Sequence, residues 1–260
     1  MATFNKRGYK APKEKEEKVD NNYIEDINVD EKDSTTAGVF NTLDDTASKT
    51  EEWVARNQKY IFGVVLAIAL VTVGYVMYQK FIVQPKEQEA ADEMFAAQQN
   101  FQQAVDGTKS DSLFNLALKG SEGKYGFQQI AEKYSGTAAG NLANYYSGIA
   151  LLNTGKYAEA VTALEKFKSD DVMLSVLAVG AIGDAYAQQN QPQKALDQYI
   201  KASEMNPNDL TTPRFLLKAG QTALAMGKKA DALKYFNAIK DKYEMTPEGG
   251  NVDAMIGLAQ

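Results

Sequence analysis

Carboxylates and lysines are the side chains through which this chain could do chemistry, because its sequence contains neither histidine nor cysteine. The lack of histidine excludes Ser-His-Asp and Cys-His catalysis, imidazole general bases and His-ligated zinc. Paired carboxylates, a lysine nucleophile or an all-oxygen metal site remain, but the sequence has no Gly-rich phosphate loop and no Asp-x-Asp-x-Asp-Gly calcium loop to organise them. We therefore predict a protein that is not an enzyme and that has no cofactor, metal ion or small-molecule substrate.

One segment has the composition of a helix that lies in a lipid bilayer. Residues 60–79 (YIFGVVLAIALVTVGYVMYQ) carry no charge, and as a helix they extend about 30 Å, the thickness of the hydrocarbon core. Tyr60 and Tyr78 fit the aromatic belts at the two interfaces. The run is preceded by a long polar segment and continues through Tyr75 and Tyr78 without ending in an A-x-A cleavage site, unlike a signal peptide. We predict a transmembrane helix over residues 60–83.

Small residues on this helix suggest where another helix could dock. Gly63 and Ala67 form a small-xxx-small pair, and Gly74 falls on roughly the same face. Such a face allows two transmembrane helices to approach closely. The alternative is ordinary use of glycine and alanine in lipid.

The polar segment before the span predicts the orientation of the chain. Residues 1–59 are highly polar and have no signal sequence to carry them across a membrane. We expect them to stay in the cytoplasm while residues 84–260 are translocated behind the span. The whole chain has a formal charge of −6, so the exported part has no basic surface for nucleic acid.

Residues 1–42 have the composition of a disordered cytoplasmic tail, with many charges and few large apolar residues. The first ten residues include Lys6, Arg7 and Lys10 and no acidic residue. One interpretation is contact with the ribosome, through its RNA, or with anionic lipid, and the other is a merely solvated terminus.

Residues 43–59 show the pattern of an amphipathic juxtamembrane helix. A helix-start signal at Thr42 precedes an apolar stripe that includes Leu43, Ala47 and Val54. This helix could lie near the cytoplasmic interface, or it could simply continue into the span.

Three glycines mark an internal repeat in the exported part. Gly148, Gly183 and Gly220 are separated by 35 and 37 residues (183 − 148 and 220 − 183), close to the 34-residue period of tetratricopeptide repeats. An alanine follows twelve residues after each glycine. We expect each glycine to lie where helix A of a repeat touches helix B, with the alanine as its small complement. The predicted repeat-packing residues are Gly148, Ala160, Gly183, Ala195, Gly220 and Ala232.

The predicted fold class is all-α: a single transmembrane helix followed by a tetratricopeptide-like α-solenoid of about three to four helix pairs over residues 84–260. A half repeat precedes the first full one, with a helix over residues 86–105 and a second that starts near Tyr125. Residues 107–124 (GTKSDSLFNLALKGSEGK) are predicted as an irregular insertion with a short helical piece, and NVDAMIGLAQ at the end as a capping helix.

In such a solenoid the A helices line the concave face, which is the predicted partner groove. Its mixed apolar and polar character suits an extended or helical protein segment, although several of its residues could instead pack between repeats. The predicted groove residues are Leu142, Tyr145, Ile149, Leu177, Asp184, Arg214, Leu217 and Gln221.

The stretch FQQIAEKYSGTAAGNLANYYSGIALLNTGKYAEAV, residues 127–161, resembles the pattern F..I...Y..T.AG.LA.YY.G...L..G.Y..A of the YfgM family. These proteins are ancillary subunits of the bacterial Sec translocon with one span and an exported helical-repeat domain. The similarity covers about residues 50–245, and the long tail looks like a Bacteroidota form. The resemblance implies an inner-membrane protein with a periplasmic repeat domain, and it implies partnership with SecYEG and the periplasmic chaperone PpiD.

Two function hypotheses follow for this chain. The first is a membrane-anchored scaffold, ancillary to the SecYEG translocon, that holds a PpiD-like chaperone near emerging exported proteins. The alternative is an envelope scaffold for another machine, in outer-membrane assembly, division or motility.

Overall fold

The computed structural model describes residues 35–107, 110–121 and 123–260. The predictions made for residues 1–34, including the basic cluster near the N-terminus, lie outside the described residues. The described residues before Thr72 and those from Thr72 to Gln260 form two compact units.

The first unit contains most of helix α1, Thr35–Tyr78, which begins earlier than predicted. The sequence placed residues up to 42 in a disordered tail, but the helix already includes Val39 and Leu43, whose four-residue separation is a helical spacing. α1 runs without interruption from Thr35 into the span, so residues 43–59 belong to one continuous helix rather than to a separate one.

One helix in the described part of the chain is long and apolar enough to cross a membrane. The helical stretch Thr46–Asp106 contains an 18-residue window with a mean hydropathy of 2.3, and none of that window is buried in protein. Its apolar side chains are exposed along the predicted span, which is the arrangement that lipid contact requires.

The second unit begins within the span and passes through a π-helical segment, Gln79–Val83, into α2, Gln84–Asp106. The amide of Gln84 bonds the carbonyl of Gln79, five residues back. Pro85 explains this wide turn, because proline has no N–H and its ring would collide with the carbonyl four residues before it. The wider turn makes room for the ring, and the chain stays helical.

In the described residues after α2, ten helices and strands precede a final 3₁₀ turn and helix. They are α3 (Asp111–Lys119), β1 (Gly120–Ser121), β2 (Lys124–Tyr125), α4 (Phe127–Lys133), α5 (Ala138–Asn153), α6 (Tyr157–Lys166), α7 (Val172–Gln188), α8 (Pro192–Met205), α9 (Thr212–Ala225) and α10 (Lys229–Lys242). A 3₁₀ turn, Gly249–Asn251, then leads to α11 (Val252–Ala259).

The helices pack as consecutive pairs. α5 packs on α6, α7 on α8 and α9 on α10, and each pair contacts the next through the following A helix. α11 packs against α10 and buries Val252 and Ala259, as expected of a capping helix. The second unit is therefore an all-α solenoid of helix pairs.

The short helical piece predicted within the insertion over residues 107–124 is α3, Asp111–Lys119. α3 packs against α2 and buries Phe114 and Leu118. After it, β1 and β2 pair antiparallel, with Gly120 opposite Tyr125. The sequence did not show that this short helix belongs to the core, because that depends on the surface that α2 offers to it.

The three turns between A and B helices share one backbone conformation. Gly155, Asn190 and Gly227 all have positive φ, with values of 74°, 55° and 75°. After each of them, the next amide bonds a carbonyl five residues back at 2.9 Å, the pattern of a Schellman motif. Glycine adopts this conformation freely and asparagine tolerates it, so the middle repeat can use Asn190.

Glu87 joins the start of α2 to the first full repeat. Its Oε2 and Oε1 accept hydrogen bonds from the amides of Ala138 and Ala139, at 2.8 and 2.9 Å. These are free amides in the first turn of α5, where a carboxylate also interacts favourably with the helix dipole. Two residues further on, Glu89 accepts a 2.7 Å hydrogen bond from the hydroxyl of Tyr134, and this bond lowers the pKa of the Glu89 carboxyl.

We expect Glu87→Ala to lower the free energy of unfolding by about 1–2 kcal/mol, because two amides of α5 lose their acceptor. Glu87→Gln should cost less, since one acceptor oxygen remains. Thermal unfolding of the detergent-solubilised protein, followed by circular dichroism, measures both. Exposed Glu165 on α6 provides the control, and equal melting of Glu87→Ala and Glu165→Ala would refute this role.

Candidate partner-binding surfaces

The repeat glycines lie where a side chain would strike helix B of the same repeat. A methyl group at Gly183 would lie 2.6 Å from Cε1 of Tyr199, and methyl groups at Gly148 and Gly220 would meet Leu164 and Phe236 in the same way. The close neighbour is thus the large residue four positions after the predicted alanine. Each alanine, Ala160, Ala195 and Ala232, is itself fully buried.

Gly180 makes a contact that the repeat alignment did not identify. A methyl group there would collide with the ring of Phe215 on α9. This contact joins α7 to helix A of the next repeat. The other two repeats have Tyr145 and Leu217 at the position that corresponds to Gly180. Because glycine does not recur at this position, the spacing of the glycines could not predict the contact.

The predicted groove residues divide into packing residues and exposed ones. Five apolar or aromatic members are half-buried and pack on the core: Leu142, Tyr145, Ile149, Leu177 and Leu217. Arg214 and Gln221, both on α9, are exposed. These two are the predicted groove residues that are most available to a partner.

Tyr145 and Arg214 come near each other although they lie on α5 and α9. Burial raises the pKa of the Tyr145 phenol, and the positive charge of Arg214 acts against that rise. The ring of Tyr145 also packs against Phe167, with centroids 5.3 Å apart. The charge of Arg214 on α9 therefore acts on Tyr145 on α5.

Asp184 is not a free groove residue, because it joins three helices. Its carboxylate accepts a 2.7 Å hydrogen bond from the hydroxyl of Tyr199 on α8 and forms a 2.5 Å ion pair with Lys218 on α9. Burial and the Asp184 carboxylate raise the pKa of the Tyr199 phenol. These groups line a pocket of about 470 Å³, which also includes Asn153 at the end of α5.

The sequence analysis missed Tyr199 and Lys218 as partners of Asp184. Lys218 lies 34 residues after Asp184, so the repeat period was a signal that could have suggested a link between neighbouring A helices.

The small residues of the span face no protein in the described ranges. Methyl groups placed at Gly63 or Gly74 would meet no atom within 4 Å, apart from nearby backbone of their own helix. Ala67 is exposed as well. The three positions predicted for helix docking are each accessible to lipid or to a partner helix.

The described residues contain no group of three or more acidic side chains placed to hold a metal ion. The titratable groups discussed above form structural hydrogen bonds and ion pairs.

Comparison with known proteins agrees with this architecture. One family model for the tetratricopeptide repeat matches residues 142–171, which include most of α5 and all of α6. A second model, also for the tetratricopeptide repeat, matches residues 181–249, from within α7 to beyond α10. No curated protein and no solved structure matches the chain. Repeats of this type bind other proteins through their stacked helices. The chain thus contains tetratricopeptide repeats, in an all-α solenoid that serves as a protein-interaction scaffold.

Proposed function

We propose that this protein is a membrane-anchored, non-enzymatic scaffold and an ancillary subunit of the SecYEG translocon. In this proposal it lies in a bacterial inner membrane with its N-terminus in the cytoplasm and its repeats in the periplasm. The repeats hold a PpiD-like chaperone close to exported proteins as they emerge. The resemblance of residues 127–161 to the YfgM family supports the choice of partners, and the tetratricopeptide repeats support the scaffold role.

The observation that carries the proposal is the helical connection between the end of the span and the repeats. From Thr72 the second unit remains helical through the π-helical segment and into α2, without a flexible loop. Glu87 then holds α2 to the first turn of α5. A chaperone bound to the repeats would consequently stay at a nearly constant distance from the membrane surface.

The two roles use different parts of the chain in this proposal. The accessible Gly63 and Ala67 on the span provide the docking face for SecYEG, because small residues let helices approach closely in lipid. The groove that contains Arg214 and Gln221 provides the surface for the chaperone. Neither role requires a chemical step.

Affinity purification from mild detergent tests the proposal. We expect SecY and a PpiD-like chaperone to co-isolate with the tagged wild-type protein. The double substitution Arg214→Glu and Gln221→Glu should reduce chaperone recovery at least tenfold, because both side chains are exposed and the change makes the charge that these two positions give to the groove negative instead of positive. Replacement of residues 60–78 by an unrelated apolar helix should instead reduce SecY recovery.

Exposed Lys201 on α8 supplies the matched control, and Lys201→Glu should leave both partners at wild-type yield. Circular dichroism checks that each variant stays folded. Co-isolation of a different envelope machine in place of SecY and the chaperone would contradict the proposal and support the alternative scaffold role.

A further inference from the structure

A second groove lies on another side of the repeats and contains none of the predicted groove residues. It has a volume of about 1120 Å³ and is bordered by α4, α5 and α6. On α5 it is lined by Asn141, Asn144 and Ser147, which recur every three residues along one side of the helix. Tyr145 and Ile149 lie on a different side of α5, at the groove predicted from the sequence.

Ser147 is the most unusual residue of this second groove. Its side chain is 2% exposed, and its hydroxyl has no hydrogen-bond partner among the residues that the structure describes. Ser203, at 4% exposure on α8, shows the usual arrangement, because its hydroxyl donates a 2.7 Å hydrogen bond to the carbonyl of Ile200. A buried hydroxyl without a partner destabilises the free protein. A ligand in the groove could supply the missing partner, since the hydroxyl can turn among staggered χ1 rotamers.

Asn141 shows what kind of ligand the groove can hold. Its Oδ1 accepts a 2.9 Å hydrogen bond from the amide of Lys168, and its Nδ2 donates to the carbonyl of the same residue. One side-chain amide therefore holds both main-chain groups of a residue in the connection between α6 and α7. Phe167, just before it, has an extended backbone with φ −67° and ψ 130°. At the edge of the groove, Asn141 thus already binds the main chain of the residue that follows this extended position.

We propose that the second groove binds an extended segment of another polypeptide through its main chain. Ser147 and Asn144 continue the row that Asn141 begins, and both can pair with main-chain amide and carbonyl groups. The charged lining residues include both signs, Glu132 and Glu159 against Lys166, so the groove does not demand a strongly charged ligand. Recognition through the main chain makes binding largely independent of sequence. This inference does not depend on the translocon proposal.

Fluorescence anisotropy with a labelled twelve-residue peptide of glycine, serine, alanine and threonine tests the inference on the full-length protein in detergent. The same peptide with alternate amides N-methylated lacks half of its main-chain donors and should bind at least tenfold more weakly. Ser147→Ala should weaken binding of the unmodified peptide about fivefold to tenfold through the loss of one hydrogen bond. The substitution Lys201→Glu on α8 should leave peptide binding unchanged, because exposed Lys201 lies in neither groove.

Thermal unfolding distinguishes a ligand-binding serine from a structural one. Ser147→Ala should melt at the wild-type temperature or above it, whereas Ser203→Ala, which loses a satisfied hydrogen bond, should melt lower. Failure of the unmodified peptide to bind, equal affinity for the two peptides, or wild-type affinity of Ser147→Ala would each overturn the inference. Weaker binding by Arg214→Glu with no effect of Ser147→Ala would place the peptide in the other groove and would also overturn it.

Discussion

Gly183→Ala should lower the free energy of unfolding of the repeat domain by about 1–3 kcal/mol, and Gly183→Leu should lower it further. A single methyl group at this position would lie 2.6 Å from Cε1 and 2.8 Å from Cδ1 of Tyr199. The ring of Tyr199 cannot move away easily, because its hydroxyl is held by Asp184. Alanine favours helices more than glycine does, so a loss of stability here would come from the collision alone. Thermal and urea unfolding in detergent measure the effect.

Gly257 on α11 provides a matched control, because a methyl group there would meet no atom within 4 Å apart from nearby backbone of its own helix. Gly257→Ala should be neutral or slightly stabilising through its higher helix propensity. Gln189→Ala should be nearly silent, because the Gln189 side chain makes only two local hydrogen bonds, to the carbonyl of Ala185 and from the side chain of Gln191, both at 3.2 Å. If Gly183→Ala is as stable as Gly257→Ala, the close approach of α7 and α8 at this glycine is refuted.

Asp184→Ala should destabilise the domain by about 1–3 kcal/mol, because it removes the acceptor of the Tyr199 hydroxyl. Tyr199 is only 4% exposed, so water replaces this acceptor poorly. The loss of the pairing with Lys218 adds less, since the Asp184 and Lys218 side chains are 32% and 28% exposed and water screens their interaction. The change should also loosen α9 from α7. A double-mutant cycle with Tyr199→Phe measures the coupling, and we expect Asp184→Ala to cost much less in the Tyr199→Phe background.

The pair of Lys240 and Asp253 separates this effect from that of an ordinary ion pair. The Nζ atom of Lys240 lies 2.7 Å from Oδ1 of Asp253, but the two side chains are 52% and 75% exposed. Asp253→Ala should therefore change stability very little. Equal losses for Asp184→Ala and Asp253→Ala would mean that the buried tyrosine hydroxyl contributes nothing.

The helices and the repeat of small residues could be predicted from the sequence, because both are patterns between residues that are close together in the chain. The uncharged run at residues 60–79 needs no tertiary partner to be recognised, since its length and composition alone match a bilayer. The offsets from Gly148, Gly183 and Gly220 likewise predicted helix pairs, and the all-α solenoid is confirmed. The start of α1 and the packing of α3 on α2 were harder to predict, because the apolar patterns in these polar stretches are short.

What the sequence by itself determined is the alternation of helices and turns, the presence of a helix long and apolar enough to cross a membrane, and the repeat period. The tertiary structure alone decided which side chains meet: Glu87 with the first turn of α5, Asp184 with Tyr199 and Lys218, and Ser147 with the floor of a groove. The physical reason is that periodicity is a property of one helix, whereas these contacts depend on the distance and rotation between helices. The sequence therefore placed Asp184 on the right helix but could not show that its carboxylate is already engaged.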